Sequence, residues 1–287
     1  MPEGNGNILR MVIVKLQIAY DGTDFVGWQR QNLPGANNRS VQGELEKVLR
    51  RLLQQAVSVQ GAGRTDSGVH AQGQVASFDL PAPGGRPLIP VERLAYAMNN
   101  RLPGDVRILG AERMEQAADF HARFSAKSKE YRYFLVLGHA PGAFDYRYAW
   151  FCPYKLPRLA DMPQAAAQFV GEHDFRGFCG RSSVVTTYVR CLSLADFGRV
   201  EPADAPPQLY SLAAEGALYC FRVVGNGFIY KMVRLLSGAL VKFGRGQLEI
   251  AQIRQQLQTA AVEPDCWPQP LAPAAPAQGL YLWHIDY

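Results

Sequence analysis

The stretch Gly61-Ala62-Gly63-Arg64-Thr65-Asp66-Ser67-Gly68-Val69-His70 puts a carboxylate, a guanidinium and an imidazole into one glycine-rich loop. Such a loop can turn sharply and present a side chain at the floor of a cleft. Two phosphate-binding patterns fail in it. GxGxxG lacks its third glycine because Asp66 stands there, and GxxxxGK[ST] lacks its lysine because Val69 follows Gly68. A carboxylate in mid-loop would repel a pyrophosphate rather than cradle it. Asp66 therefore reads in one of two ways. It is a reacting carboxylate, or it belongs to a local Arg64–Asp66 pair or Asx-turn of the kind tight loops make. His70 and His121 read as structural histidines rather than acid–base catalysts, although an ordinary imidazole titrates near neutrality.

The elements around this loop follow from hydrophobic spacing. Residues 12–20, VIVKLQIAY, alternate as a strand with Val12, Val14, Leu16 and Ile18 on one face, and Asp21-Gly22 ends it. Ser40 can cap a helix lined by Val41, Leu45, Val48, Leu49 and Leu52. AVSVQ and QVASFDL read as strands flanking a loop over 61–73. A helix near 91–100 and a strand around 106–109 follow. The second half reads as a strand over 128–137, a helix near 159–170, and strands around 188–197, 208–214 and 217–224. Helices over 228–242 and 247–259 come next, and GLYLWHIDY closes the chain as a strand. The segments 200–207 and 264–278 are Pro/Ala-rich and read as loops. Mixed helices and hairpin-linked strands predict an α+β fold with a largely antiparallel sheet. Two subdomains, 1–118 with the loop 61–73 and 119–287, are expected to share a basic cleft.

Composition narrows the function classes. The 287 residues are 48% hydrophobic and 19% charged, as a globular protein with a real core is. The net charge is +5, and the basic residues are 23 Arg against 7 Lys. Arginine's planar fork suits phosphate oxygens and base edges better than a lysine point charge does. The five cysteines are irregularly spaced with no CxxC, and the histidines form no HxxxH pair. Neither a disulfide framework nor a metal site is expected, and free thiols suit a reducing compartment. The segment MPEGNGNILR carries no apolar run of a signal peptide, and no stretch approaches a membrane span. A cytoplasmic protein with a short frayed tail is expected.

GRTDSGVHAQGQVASF resembles the signature loop of the tRNA pseudouridine synthase A family. The likeness recurs in order along the chain. Tyr20-Asp21-Gly22-Thr23 with Gly27-Trp28-Gln29-Arg30-Gln31 is similar to the family's first strand and the basic-aromatic segment after it. Ser40-Val41-Gln42, Asn99 to Asp105 and Asp119 to Ala126 match further blocks. Lys129-Glu130-Tyr131-Arg132-Tyr133, Asn226-Gly227-Phe228, Met232-Val233-Arg234 and Gly279-Leu280-Tyr281-Leu282 complete the set. Ser67 and Gly227 stand where the family more often has alanine, and Tyr230-Lys231 replaces a frequent histidine pair.

The resemblance implies the pseudouridine synthase fold and the isomerisation of uridine in the anticodon stem-loop of tRNA, at uridines 38, 39 and 40. It implies Asp66 as the catalytic carboxylate, Arg234 as the guanidinium beside it and Tyr131 as the ring that stacks on the uracil. Such a cation keeps a carboxylate charged in a partly dry pocket. Arg64 is expected to fill the gap left by an extruded base or to hold a phosphate. Trp28, Gln29, Arg30, Arg123, Lys127 and Lys129 are expected along the RNA backbone, where such contacts position without reading sequence. A homodimer is implied as well. The reaction exchanges an N1–C1′ bond for a C5–C1′ bond without redox change, so no cofactor or metal is called for. Base extrusion costs a few kcal/mol, which stacking offsets. Hydrolysis of the same bond would call for a second, acidic carboxylate, and the loop carries no evident one.

Overall fold

The protein is described by a computed structural model over residues 10–31, 39–82, 89–114, 120–180, 185–262 and 267–287. The expected tail up to residue 9, Asp119 of the sixth family block, and Cys266 with the beginning of the 264–278 loop lie outside the described residues. The chain forms two compact units, Met1–Ala126 with Tyr287, and Lys127–Asp286. The sequence places its division at 118/119.

Unit 1 is built on an antiparallel sheet. Its strands are β1 (Arg10–Tyr20), the two-residue β2 (Gln60–Gly61), β3 (His70–Ala82) and β4 (Val106–Arg113). β1 is central, with β3 on one side and β4 on the other, and β2 pairs with β3. β1 alternates as its sequence says: Val12, Val14, Leu16, Ile18 and Tyr20 are buried. Each such aliphatic side chain contributes about 1.5–3 kcal/mol when fully buried. Helix α1 (Val41–Leu53) starts at Ser40, whose Oγ accepts from the Gly43 N–H at 3.2 Å. That cap is worth about 1 kcal/mol. Its buried face is Val41, Leu45, Val48, Leu49 and Leu53, so Leu53 takes the place expected for Leu52. Helix α2 (Val91–Asn99) buries Val91, Leu94 and Met98. Tyr287 belongs to this unit because its hydroxyl donates to Ala122 O at 2.7 Å and its ring meets Phe120.

Two expectations in unit 1 are corrected. AVSVQ is not a strand before Gln60. The ladder positions of Val59 are filled by α1 side chains: its N–H donates to Glu46 Oε1 at 3.1 Å, and its carbonyl accepts from Gln42 Nε2 at 3.0 Å. β3 begins at His70, not Gln74. The β1–β3 register runs Ile18↔Gln74 then Tyr20↔Ala71, so Gly73 sits in a bulge rather than ending the strand. The loop expected over 61–73 accordingly closes at Val69.

Unit 2 carries β5 (Ser128–Leu137), β6 (Trp150–Cys152), α3 (Met162–Ala166), β7 (Gly171–Asp174), β8 (Val189–Arg199), α4 (Tyr210–Ala214), β9 (Leu218–Gly225), α5 (Met232–Gly244), α6 (Ile250–Val262) and β10 (Leu280–Asp286). The sheet runs β10-β5-β9-β8-β7, antiparallel throughout, with β6 parallel to the end of β5. β5 has the bounds its sequence predicts. The helix expected near 159–170 is broken into a 3-10 turn, the short α3 and a second 3-10 turn. The strand expected over 208–214 is a 3-10 turn running into α4. Pro206-Pro207 starts that turn, and Leu209, Leu212 and Ala213 then meet one apolar cluster at helical spacing. Both units are α+β with mostly antiparallel sheets. Among the described residues no helix is long and apolar enough to cross a membrane.

Candidate active site

In unit 1 the loop between β2 and β3 is held by the segment that follows β1. Trp28 N–H donates to Thr65 O at 3.1 Å, and Ser67 Oγ donates to Phe25 O at 3.1 Å. Val69 N–H closes the turn on Asp66 O at 3.2 Å. The Tyr20 hydroxyl meets Thr65 Oγ1 at 2.8 Å, and Gln74 Nε2 donates to Gly63 O at 2.9 Å. Asp66 is half-buried, Arg64 exposed and Thr65 buried.

Two glycines permit this approach. Gly27 has φ +112, and a Cβ there would lie 2.5 Å from Thr65 O. At Gly61 a Cβ would meet the Trp28 indole at 2.4 Å. Trp28 is thus the wall on which the loop rests, and it is only 3% exposed. That burial leaves it little surface for the RNA contact expected of it. Gln29 and Arg30, by contrast, are exposed. Arg30 Nη1 lies 3.2 Å from Glu46 Oε2. The Arg30 end of that pair is open to solvent, while the Glu46 side chain is only 12% exposed.

A second tier of polar contacts supports the segment. Arg39 grips Asp105 with both Nη atoms, at 2.6 and 2.8 Å, and its guanidinium lies 4.2 Å from the Phe25 ring centre. Hydrogen bonding to Asp105 raises the Arg39 pKa further. Asp21 Oδ1 accepts from Thr23 N–H at 3.0 Å and Thr23 Oγ1 at 2.6 Å, and lies 3.2 Å from His70 Nδ1. Burial pushes the Asp21 pKa up, but the neighbouring His70 and the Thr23 hydrogen bonds outweigh it and hold it below the usual carboxylate range. His70 Nδ1 also lies 3.1 Å from Gly22 N. One nitrogen cannot both donate to the carboxylate and accept from the amide, so the tautomer decides which contact is a hydrogen bond. His70 is buried in this latch, as a structural histidine is.

Arg123 and its neighbours form a tight turn. Ser125 N–H donates to His121 O at 2.9 Å, and Arg123 N–H to His121 Nδ1 at 3.1 Å. His121 therefore has a structural role too. The Arg123 side chain is exposed and lies 5.5 Å from the ring of the exposed Phe124.

Unit 2 holds the other expected residues. Tyr131 sits on β5 opposite Val223 and Leu282, 6% exposed, its ring edge-on to Phe228 at 4.8 Å. The other face of β5 carries Glu130, which accepts from Arg132 Nε and Arg222 Nε, each at 2.8 Å. Burial raises the Glu130 pKa, but hydrogen bonds from Arg222 and Arg132 prevail and lower it. Arg234 lies in the first turn of α5, and its Nε donates to Ala275 O at 2.8 Å. Ala275 N–H returns to Arg234 O at 2.9 Å, so the Pro/Ala-rich loop is tied to this helix. Lys127 is exposed and Lys129 half-buried at the start of β5. Among the described residues no group of three His, Cys, Asp or Glu side chains could hold a metal ion.

The sequence alone does not single out Tyr20, Asp21, Arg39, Asp105 and Gln74 as supports of the loop. Tyr20, Asp21, Gln74 and Asp105 lie within the recurring blocks, but nothing in one sequence tells which partners they take.

A half-buried carboxylate on a loop pinned from below is the geometry of a presented acid or nucleophile. A family model described as tRNA pseudouridine synthase matches residues 17–125 and 165–287. Relatives agree over nearly the whole chain. A tRNA pseudouridine synthase A of Chlorobaculum tepidum is 40% identical over 96% of this chain and 97% of its own length. Those of Moorella thermoacetica and Bacillus subtilis are 39% and 38% identical, again over 96% of this chain, and over 100% and 98% of their own. The chain belongs to the tRNA pseudouridine synthase A family. It is accordingly an enzyme, an isomerase acting on uridine in tRNA.

Proposed function

We propose that the protein converts uridine to pseudouridine in the anticodon stem-loop of tRNA, at positions 38, 39 and 40, with the Asp66 carboxylate as the reacting group. The observation that carries this reading is Asp66 itself, half-buried on a loop whose flanking peptides are held by Trp28 and Val69. The N1–C1′ bond breaks, the uracil turns, and C5 bonds to C1′. The C5 proton leaves and N1 takes one up, so the reaction balances without a co-reactant. The carboxylate can open the sequence by adding to the base, by attacking C1′ or by removing a sugar proton.

In this reading Arg234 is the guanidinium of the site, and Tyr131 stacks on the turned uracil. Arg64, Gln29, Arg30, Arg123, Lys127 and Lys129 contact the RNA backbone, while Trp28 braces the loop from within. The enzyme works as a homodimer in the cytoplasm.

Transcripts that each keep a single uridine, at 38, 39 or 40, test the site choice. Pseudouridine is expected at each of the three and none in a transcript lacking all of them. Modification elsewhere, or free uracil in place of pseudouridine, would contradict the assignment. Affinity should also fall linearly on a log–log plot as salt rises, through counterion release. Arg123→Ala or Lys127→Ala should each reduce that slope by about 1. A slope indifferent to salt would exclude phosphate contacts.

A further inference from the structure

Three buried polar side chains, Gln74, Tyr20 and Thr65, form a chain that supports the loop of unit 1. Gln74, with no exposed surface, donates from Nε2 to Gly63 O at 2.9 Å and also hydrogen-bonds the Tyr20 hydroxyl. The Tyr20 hydroxyl meets Thr65 Oγ1 at 2.8 Å. Gln74 Oε1 accepts from Val75 N–H at 3.2 Å. If Gln74 gives one amide proton to Gly63 and the other to Tyr20, the phenol proton is left to point at Thr65. Thr65 is then held twice, through its hydroxyl by Tyr20 and through its carbonyl by Trp28 N–H.

The chain reaches the loop on both sides of Arg64 and ends at the residue before Asp66. Tyr20 is the last residue of β1 and Gln74 lies in β3, so the loop is registered against two paired strands rather than against another loop. Packing alone does not call for this arrangement. A Phe–Val pair in place of Tyr20 and Thr65 would fill the same space without the cost of burying two hydroxyls. A fully satisfied buried network instead specifies one geometry.

We propose that Tyr20 is a positioning residue for the reaction: through Thr65, and together with Gln74, its hydroxyl fixes the backbone from which Asp66 is presented. The inference rests on Asp66 being the reacting carboxylate. Small displacements of a reacting group are costly, about a hundredfold in rate for 1 Å.

The test measures single-turnover pseudouridine formation at saturating enzyme, tRNA affinity and melting temperature. The variants are Tyr20→Phe, Thr65→Val, Thr65→Ser and the Tyr20→Phe/Thr65→Val pair, with Asp66→Asn as control. Tyr20→Phe and Thr65→Val are each expected to slow the reaction about ten- to a hundredfold with tRNA affinity unchanged. Thr65→Ser keeps the hydroxyl and should stay near the wild-type rate. The paired variant removes both hydroxyls together and leaves only the second amide proton of Gln74 without its acceptor, so its melting temperature should recover part of the single-variant losses while its rate stays low. A purely structural role would let rate and melting temperature recover in step, and that result would overturn the inference. So would Tyr20→Phe turning over at the wild-type rate while Asp66→Asn is inactive. Should Asp66→Asn itself react normally, the underlying assignment falls and the inference falls with it.

Discussion

Asp66→Asn is expected to cut the single-turnover rate of pseudouridine formation by about 10⁴-fold or more, the scale seen when a reacting group is removed. Affinity for tRNA should stay essentially the same. The amide matches the carboxylate in shape, so loop packing is kept: the contacts from Trp28 and Val69 go to backbone atoms of residues 65 and 66. What is lost is the charge and the nucleophilic oxygen. Phosphate contacts come from other residues in this account, so binding does not depend on Asp66. A variant that bound tRNA weakly and reacted slowly to the same extent would instead mark Asp66 as an RNA-contact residue. A variant within tenfold of the wild-type rate would remove Asp66 from the chemistry altogether.

Gly27→Ala carries the second large effect. The residue has φ +112, and the added methyl would meet Thr65 O at 2.5 Å, Asp66 C at 3.2 Å and Ser67 N at 3.3 Å. The backbone conformation alone costs a side chain about 1–3 kcal/mol. The close contact cannot be relieved by turning a side chain, because the atoms met are backbone. The loop must move, and it carries Asp66. We expect a loss of at least about 1 kcal/mol in urea unfolding and a rate about a hundredfold lower. Gly104→Ala is the control: a Cβ there meets nothing within 4 Å. It should change stability by no more than about 0.5 kcal/mol. Were Gly27→Ala to unfold and turn over as the wild type does, the close approach of residues 27 and 65 would play no part in presenting Asp66.

The fold was legible where burial and period coincide. β1 alternates in sequence as it does in burial, and β5 has the bounds its apolar pattern predicts. The loop bearing Asp66 was legible as a candidate site only through its likeness to a family, since an RxD in a glycine-rich turn is ordinarily turn chemistry. Four features were hidden for physical reasons. AVSVQ has the composition of a strand, but Gln42 and Glu46 of α1 occupy the hydrogen bonds of Val59. Residues 208–214 are too short a run to separate period 2 from period 3.6, and the apolar cluster around Leu209 and Leu212 decided for the helix. Trp28 reads as a surface aromatic among polar neighbours, yet the absent side chain of Gly61 gives it a buried seat. The network from Gln74 through Tyr20 to Thr65 joins positions far apart in the chain, and composition says nothing of such pairings.

In the proposed function one carboxylate, that of Asp66, performs the isomerisation. An unmodified tRNA transcript incubated to completion with wild-type protein, and in parallel with Asp66→Asn, then read for pseudouridine at every uridine, tests it most directly. Pseudouridine confined to the anticodon stem-loop is expected with the wild type, and none anywhere with the variant. Pseudouridine in the Asp66→Asn reaction at the wild-type positions and yield would contradict it.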